Sequence, residues 1–162
     1  MPDLTGIDRE LLRRAIDLAG RARAHGNHPF GALLAGEDGQ VLLEAENTVL
    51  TEHDVTGHAE TNLIRLASAR LATETLSRCT LYTSTEPCAM CTGAIYWAGV
   101  GRVVYGLSEA GLYALTGSGH DGLRLPCREV LAHGGHAVDV LGPALEDEAR
   151  QVHVGFWGAA QG

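Results

Sequence analysis

The chain contains no lysine, so its twelve basic residues are all arginines, set against twenty acidic residues for a formal net charge of −8. Such a surface repels phosphate backbones on average, which disfavours nucleic acid as a partner, because that kind of binding begins with a basic patch that neutralises several phosphates. The best local candidate for a patch is the N-terminal helix, with Arg9, Arg13, Arg14, Arg21 and Arg23, but Asp8, Glu10 and Asp17 interleave with them and mark a solvated face. Long apolar runs are also missing. No stretch approaches the roughly 18 residues that span a bilayer, and the opening MPDLTGIDRE is acidic, without the apolar segment of a signal peptide. A cytoplasmic protein with no membrane association is expected. Cysteine is scarce, four in 162 residues, which in a cytosolic chain argues for metal or catalytic use over a disulfide framework. Cys79 and Cys127 stand alone and read as small buried hydrophobes.

What remains is an ordinary globular composition, 45% hydrophobic and 20% charged over 162 residues, enough for one domain with a sizeable core. The whole chain, 1–162, is expected to form that domain, with its catalytic core at about 28–107. Residues 7 to 25 carry apolar positions at a helical period, and Gly26 follows as a stop. FGALLAG (30–36) and QVLLEAEN (40–47) read as strands joined through Asp38-Gly39. HAETNLIRLASARLA (58–72) reads as a helix with Thr56 as its N-cap, and CTLYTS (79–84) as a strand. A helix opening near Pro87 runs to Gly99, and RVVYGL (102–107) is the next strand. The glycine-rich 108–122 has no clear period and reads as a loop or lid. HAVDVLG (136–142) and LEDEARQVHVGFW (145–157) read as a last strand and a closing helix. Alternating helices and short apolar strands indicate an α/β sheet with helices packed on it.

Chemistry concentrates in TEPCAMC (85–91). A Cys-x-x-Cys pair alone can be a redox dithiol, a structural zinc clip or part of a catalytic centre. Upstream lies His58-Ala59-Glu60, and one imidazole with two thiolates holds a zinc ion while leaving a fourth tetrahedral position for water. His58 and Cys88 each open a helix, so two positive helix ends can converge on one point and favour thiolate at Cys88 and Cys91. Zinc there would acidify its water toward neutrality. Glu60, which does not share a helix face with His58, would move the proton from that water to the substrate. A structural zinc site closes all four positions and needs no such carboxylate.

HxE followed by PCxxC is the pattern of zinc-dependent base deaminases, and the chain resembles the cytidine deaminase-like superfamily, in the branch that holds guanine, cytosine and tRNA adenosine deaminases. HPFGALL, Asn47, HDVTGHAE, LYTSTEPCAMCTGAIYWA and RVVYG carry the resemblance. It implies a three-layer α/β/α sandwich around a central five-stranded mixed sheet. It also implies zinc ligation by His58, Cys88 and Cys91, with Glu60 as the proton shuttle. By the same resemblance, Asn47 and the Ala59 backbone N–H would bind the base, Phe30 would stack on it, and the Glu86 carbonyl would receive the departing amino group. The implied reaction is hydrolysis of an exocyclic amine, cytosine to uracil or guanine to xanthine, in a homodimer.

The substrate is less specified. PFGA and GAIYWA resemble guanine deaminases, whereas the segment after 102–107 departs from their acidic pair and aromatic tail. CTGAI resembles cytosine deaminases, and GPALEDEARQVHVGFW the last helix of tRNA adenosine deaminases. A small nucleobase or nucleoside is expected, with tRNA adenosine-to-inosine deamination as the alternative. His120, Asp121, Glu109 and Trp157 are candidate specificity contacts. A non-enzymatic zinc-binding interaction module and a thiol oxidoreductase are the competing classes, and the second leaves His58 and Glu60 without a role.

Overall fold

The computed structural model describes residues 3–117 and 121–158. Along them run α1 (Gly6–Ala24), β1 (Gly31–Ala35), β2 (Val41–Glu46), α2 (Val49–Glu52), α3 (Ala59–Arg70), α4 (Thr73–Leu76) and β3 (Thr80–Thr85). There follow α5 (Ala89–Ala98), β4 (Arg102–Leu107), α6 (Glu109–Thr116), α7 (Cys127–Ala132), β5 (Asp139–Leu141) and α8 (Glu146–Gln151). The strands form one mixed sheet in the order β2-β1-β3-β4-β5. β1 is antiparallel to both β2 and β3, while β3, β4 and β5 run parallel.

Alternating side chains explain the layering. Leu33, Ala35, Tyr82 and Val104 join α1 and α8 in one core, while Ala32, Leu34, Leu81 and Val103 join α3 and α5 in the other. A sheet whose two faces are both apolar needs helices on both sides, which gives the three-layer α/β/α sandwich. α1 opens with a capping box, in which Thr5 Oγ1 accepts the Asp8 N–H and Asp8 Oδ2 accepts the Thr5 N–H. It lies so close to β1 that a Cβ on Gly31 would sit 2.5 Å from the Ala19 backbone nitrogen.

Four of the five α1 arginines are engaged. Arg13 pairs with Glu148, Arg14 with Glu44 and Arg21 with Glu46, and Arg23 donates to the carbonyls of Val152 and Val154. Asp8 departs from the expected solvated face: it is buried and takes two guanidinium N–H groups of Arg102 at 2.8 Å each, plus the Tyr82 hydroxyl at 2.7 Å.

Other expectations change at element ends. Thr56 does not cap α3; it closes a turn on Asp54, and His58 takes the N-cap position. α5 begins at Ala89 with Cys88 as N-cap, so Pro87 lies just outside the helix. The segment 108–122 is not all loop. Ser108 Oγ accepts the Gly111 N–H and caps α6, whose Leu112 and Leu115 pack against the α1-side core. β5 is shorter than 136–142, and His136, ahead of it, is stacked flat on Tyr96 with ring centroids 4.2 Å apart. The closing helix stops at Gln151, and the chain then turns through Gly155, at φ 77°, into Phe156 and Trp157.

Candidate active site

The two helix starts predicted to converge do so. His58 and Cys88 are themselves the N-cap residues of α3 and α5, and neither side chain caps its own helix, so both are free to face each other. Cys91, one turn into α5 and fully buried, completes the group. Cys91 Sγ lies 3.4 Å and Cys88 Sγ 3.6 Å from His58 Nδ1, and all three donor atoms fall within 4.8 Å of one another. A tetrahedral zinc with ordinary Zn–S and Zn–N bonds holds its sulfur and nitrogen ligands about 3.5 Å apart, so the donor set fits that ion in both chemistry and spacing. No other group of three or more metal-binding side chains occurs among the described residues.

The trio shares protons. Hydrogen bonds from the Cys91 thiol and then from His58 bring the Cys88 thiol down to about 4 against its burial. The Cys91 thiol, as the donor to Cys88 in a desolvated place, is pushed up, and the hydrogen bond between His58 and Cys88 raises His58. The cluster favours thiolate at Cys88, and a metal cation held by all three residues would require both thiols and the His58 Nδ1 to be free of protons.

Glu60, in the first turn of α3, is 5% exposed. Burial pushes its carboxyl up, partly offset by a hydrogen bond from the Thr83 hydroxyl at 2.5 Å. Glu60 is not one of the clustered donors but lies close enough that Cys88, Cys91 and His58 all act on its carboxyl. A carboxyl that holds its proton readily beside a cation-binding trio is equipped for proton transfer.

The other predicted residues lie on neighbouring elements. Ala59, fully buried, is the first residue of α3, directly after His58. Asn47 is buried at the end of β2, with its N–H on the Phe30 carbonyl at 3.1 Å and its Oδ1 on the Val49 N–H at 3.0 Å. Phe30 sits in an aromatic group: its ring is 5.4 Å from His153 and 6.4 Å from Trp157. Trp157 stacks on His28 at 5.6 Å, and its indole N–H donates to His153 Nδ1 at 2.9 Å. The C-terminal turn therefore lies on the Phe30 side of the site. Burial, and then the charge of His58, lower His28.

Glu86, two residues before Cys88, grips the opposite wall. Its Oε1 accepts the Glu109 N–H and its Oε2 the Cys127 N–H, each at 2.9 Å, while Glu109 Oε2 accepts the Leu125 N–H. This clamp ties α6 and α7 to the end of β3, beside an open cleft of about 600 Å³ lined by Glu86, Glu109, Tyr113 and Arg124. Glu109 is thus committed to the backbone of its own wall, Asp121 is exposed, and His120 lies outside the described residues. Cys79 and Cys127 are buried, as expected of small hydrophobes.

Three residues escaped the sequence reading. Asn62 donates through Nδ2 to the Glu46 carbonyl and Thr48 Oγ1, and Asn27 Oδ1 accepts the N–H groups of Leu50 and Thr51; together they hold the loop that delivers His58. Thr83 is the third. The available signal was hydroxyls at alternate positions, Thr83 and Thr85, in a strand buried along its whole length.

A profile of the cytidine and deoxycytidylate deaminase zinc-binding region matches residues 5–107. A probable cytosine deaminase of Schizosaccharomyces pombe is 43% identical over 157 residues, 96% of this chain and 95% of that protein. A guanine deaminase of Bacillus subtilis is 46% identical over 95 residues, 58% of this chain and 60% of that one. A chain solved in work on A-to-I editing by tRNA:A34 deaminases superposes with a TM-score of 0.72 at 29% identity, covering 89% of this chain and 99% of its own.

Proposed function

The chain belongs to the cytidine and deoxycytidylate deaminase family and is a deaminase, and we propose that it hydrolyses the exocyclic amino group of a free nucleobase, cytosine ahead of guanine, with zinc as its metal. The observation that carries the chemistry is the His58, Cys88 and Cys91 trio at tetrahedral spacing with the buried Glu60 carboxyl against it. Zinc held there supplies an acidified water as the nucleophile. Glu60 takes up a proton at its carboxylate and gives it to the ring nitrogen or the departing amine, so that water and an amidine become a carbonyl and ammonia. Phe30 stacks on the ring, and Asn47 and the Ala59 N–H hydrogen-bond its polar edge. The Glu86 carbonyl accepts from the leaving amine. The desolvated walls keep these contacts strong.

Similarity to a cytosine deaminase along 96% of the chain supports a small base as substrate. The engaged α1 arginines and the net charge of −8 weigh against tRNA. The reading places one catalytic domain over 1–162, with its core at about 28–107, in the cytoplasm, where thiols stay reduced. Ammonia release from cytosine, guanine, adenine, isocytosine, triazines and the corresponding nucleosides tests it. Cytosine is expected to be fastest, with rates that hold as salt rises from about 50 to 200 mM, whereas a tRNA enzyme would lose affinity steeply over that range. No release from any base, with turnover of tRNA, would reverse the reading.

A homodimer is part of the proposal. Met90 and Trp97, seven apart on one face of α5, are 38% and 85% exposed, an apolar face suited to a second copy. Sedimentation should give a dimer for the wild type and a monomer for Trp97→Glu; a wild-type monomer removes this element.

A further inference from the structure

Thr83 is fully buried in the middle of the sheet, and its Oγ1 lies 2.5 Å from Glu60 Oε1 and 3.0 Å from the Thr85 carbonyl oxygen. A threonine hydroxyl has one hydrogen to give and lone pairs with which to receive. Facing a carboxylate, it gives that hydrogen to Oε1. Facing a carboxylic acid, it receives the acid's hydrogen at Oγ1 and turns its own to the Thr85 carbonyl. The carboxyl of Glu60 thus keeps one partner, in one place, in both of the forms a proton carrier passes through. Strand propensity does not account for the hydroxyl, because valine fills nearly the same volume and favours a strand at least as well. A buried hydroxyl costs stability unless it is paired.

We propose that Thr83 is the positioning residue of Glu60: its hydroxyl, held between Glu60 Oε1 and the Thr85 carbonyl oxygen, fixes the carboxyl against the His58, Cys88 and Cys91 trio. The proposal rests on the reading of Glu60 as proton carrier given above. Thr83 acts only through Glu60. Its contribution is orientation, and a misplacement of about 1 Å at such a group costs on the order of 100-fold in rate.

The test compares Thr83→Val, which removes only the hydroxyl, with Thr83→Ser, which keeps it. For Val, kcat should fall about 100-fold with KM within about twofold of wild type, and metal content per chain should be unchanged. Crystal structures of the zinc-loaded proteins should show the Glu60 carboxyl displaced in Val and in its wild-type place in Ser, whose kcat recovers to within about threefold. If Val does not fold, Thr83→Ala against Thr83→Ser isolates the hydroxyl on a common background, with the same contrast expected. Wild-type kcat in Val, an unmoved Glu60 carboxyl, or Ser as impaired as Val would each overturn the proposal. Should the wild type release no ammonia from any base, the functional reading fails, while the position of the Glu60 carboxyl in the Val and Ser structures still decides the role of Thr83.

Discussion

Asp8 and Glu60 are carboxylic acids buried to nearly the same depth, 3% and 5% exposed. Asp8 is reached by Tyr82 and Glu60 by Thr83, adjacent residues whose side chains leave β3 on opposite faces. Asp8 is saturated. Two N–H groups of Arg102, the Tyr82 hydroxyl and the Thr5 backbone N–H converge on its two oxygens, and the Arg102 hydrogen bonds hold its carboxyl well below the ordinary range. Glu60 receives one side-chain hydroxyl, its second neighbour is a thiol, and burial pushes it the other way. Two carboxyls hidden from solvent therefore have opposite proton affinities: at Asp8 the Arg102 guanidinium and the hydroxyl donor outweigh desolvation, whereas at Glu60 desolvation outweighs the single hydroxyl. A carboxylate given all its donors is a structural tie; one left short of them can carry a proton.

The largest test of that contrast is Glu60→Gln. Removing a general acid/base costs about 10²–10⁴-fold in rate, so ammonia release should fall by that much while bound metal and melting temperature are retained, because glutamine keeps the shape and brings no charge into a desolvated place. Retained turnover would end the assignment of Glu60 as proton carrier. Asp8→Asn should show the reverse pattern. It leaves Arg102 and Tyr82 without their shared anion, for a loss of about 3 kcal/mol in unfolding free energy by denaturant titration, with kcat of the folded protein unchanged. A fall in kcat without a fall in stability would erase the distinction between the two carboxyls.

The pH dependence sharpens the same comparison. The folded-state carboxyl of Asp8 is depressed below its unfolded value, so its contribution is fully present above the unfolded value of about 4 and is lost as pH falls toward the folded one. Wild type and Asp8→Asn should accordingly differ most near neutral pH and converge under acid. A difference that stays constant from neutral pH down into strong acid would mean that the tie does not depend on ionisation.

These two carboxyls also mark what could be read from the residues alone. His58, Glu60, Cys88 and Cys91 were legible because metal chemistry restricts both the residue types and their spacing, and the sheet was legible because its strands are short, apolar and set between helical segments. Asp8 was not, since a helix full of alternating charges looks solvated until Arg102, ninety-four positions away, is brought to it. Thr83 was hidden in the same way, as a strand former whose hydroxyl acquires a purpose only when α3 packs over it. α6 reads as loop or lid in the sequence because 108–122 is glycine-rich and shows no clear period. Its helix depends on the Ser108 cap and on the hold of Glu86 on the Glu109 and Cys127 N–H groups, contacts that span up to forty-one residues.

The smallest expected effect separates burial from proximity. Arg14 Nε lies 2.5 Å from Glu44 Oε2, closer than either Arg102 contact to Asp8, yet the Arg14 and Glu44 side chains are 52% and 31% exposed while that of Asp8 is 4% exposed. Water competes at the open pair and mobile ions screen it, so Arg14→Ala should cost no more than about 0.5 kcal/mol. Raising salt to about 1 M, where the screening length shrinks to roughly 3 Å, should abolish that cost while leaving most of the Asp8→Asn loss in place. If the exposed pair proved as costly to break as the buried one, distance would govern both, and the saturation argument for Asp8 and Glu60 would lose its basis.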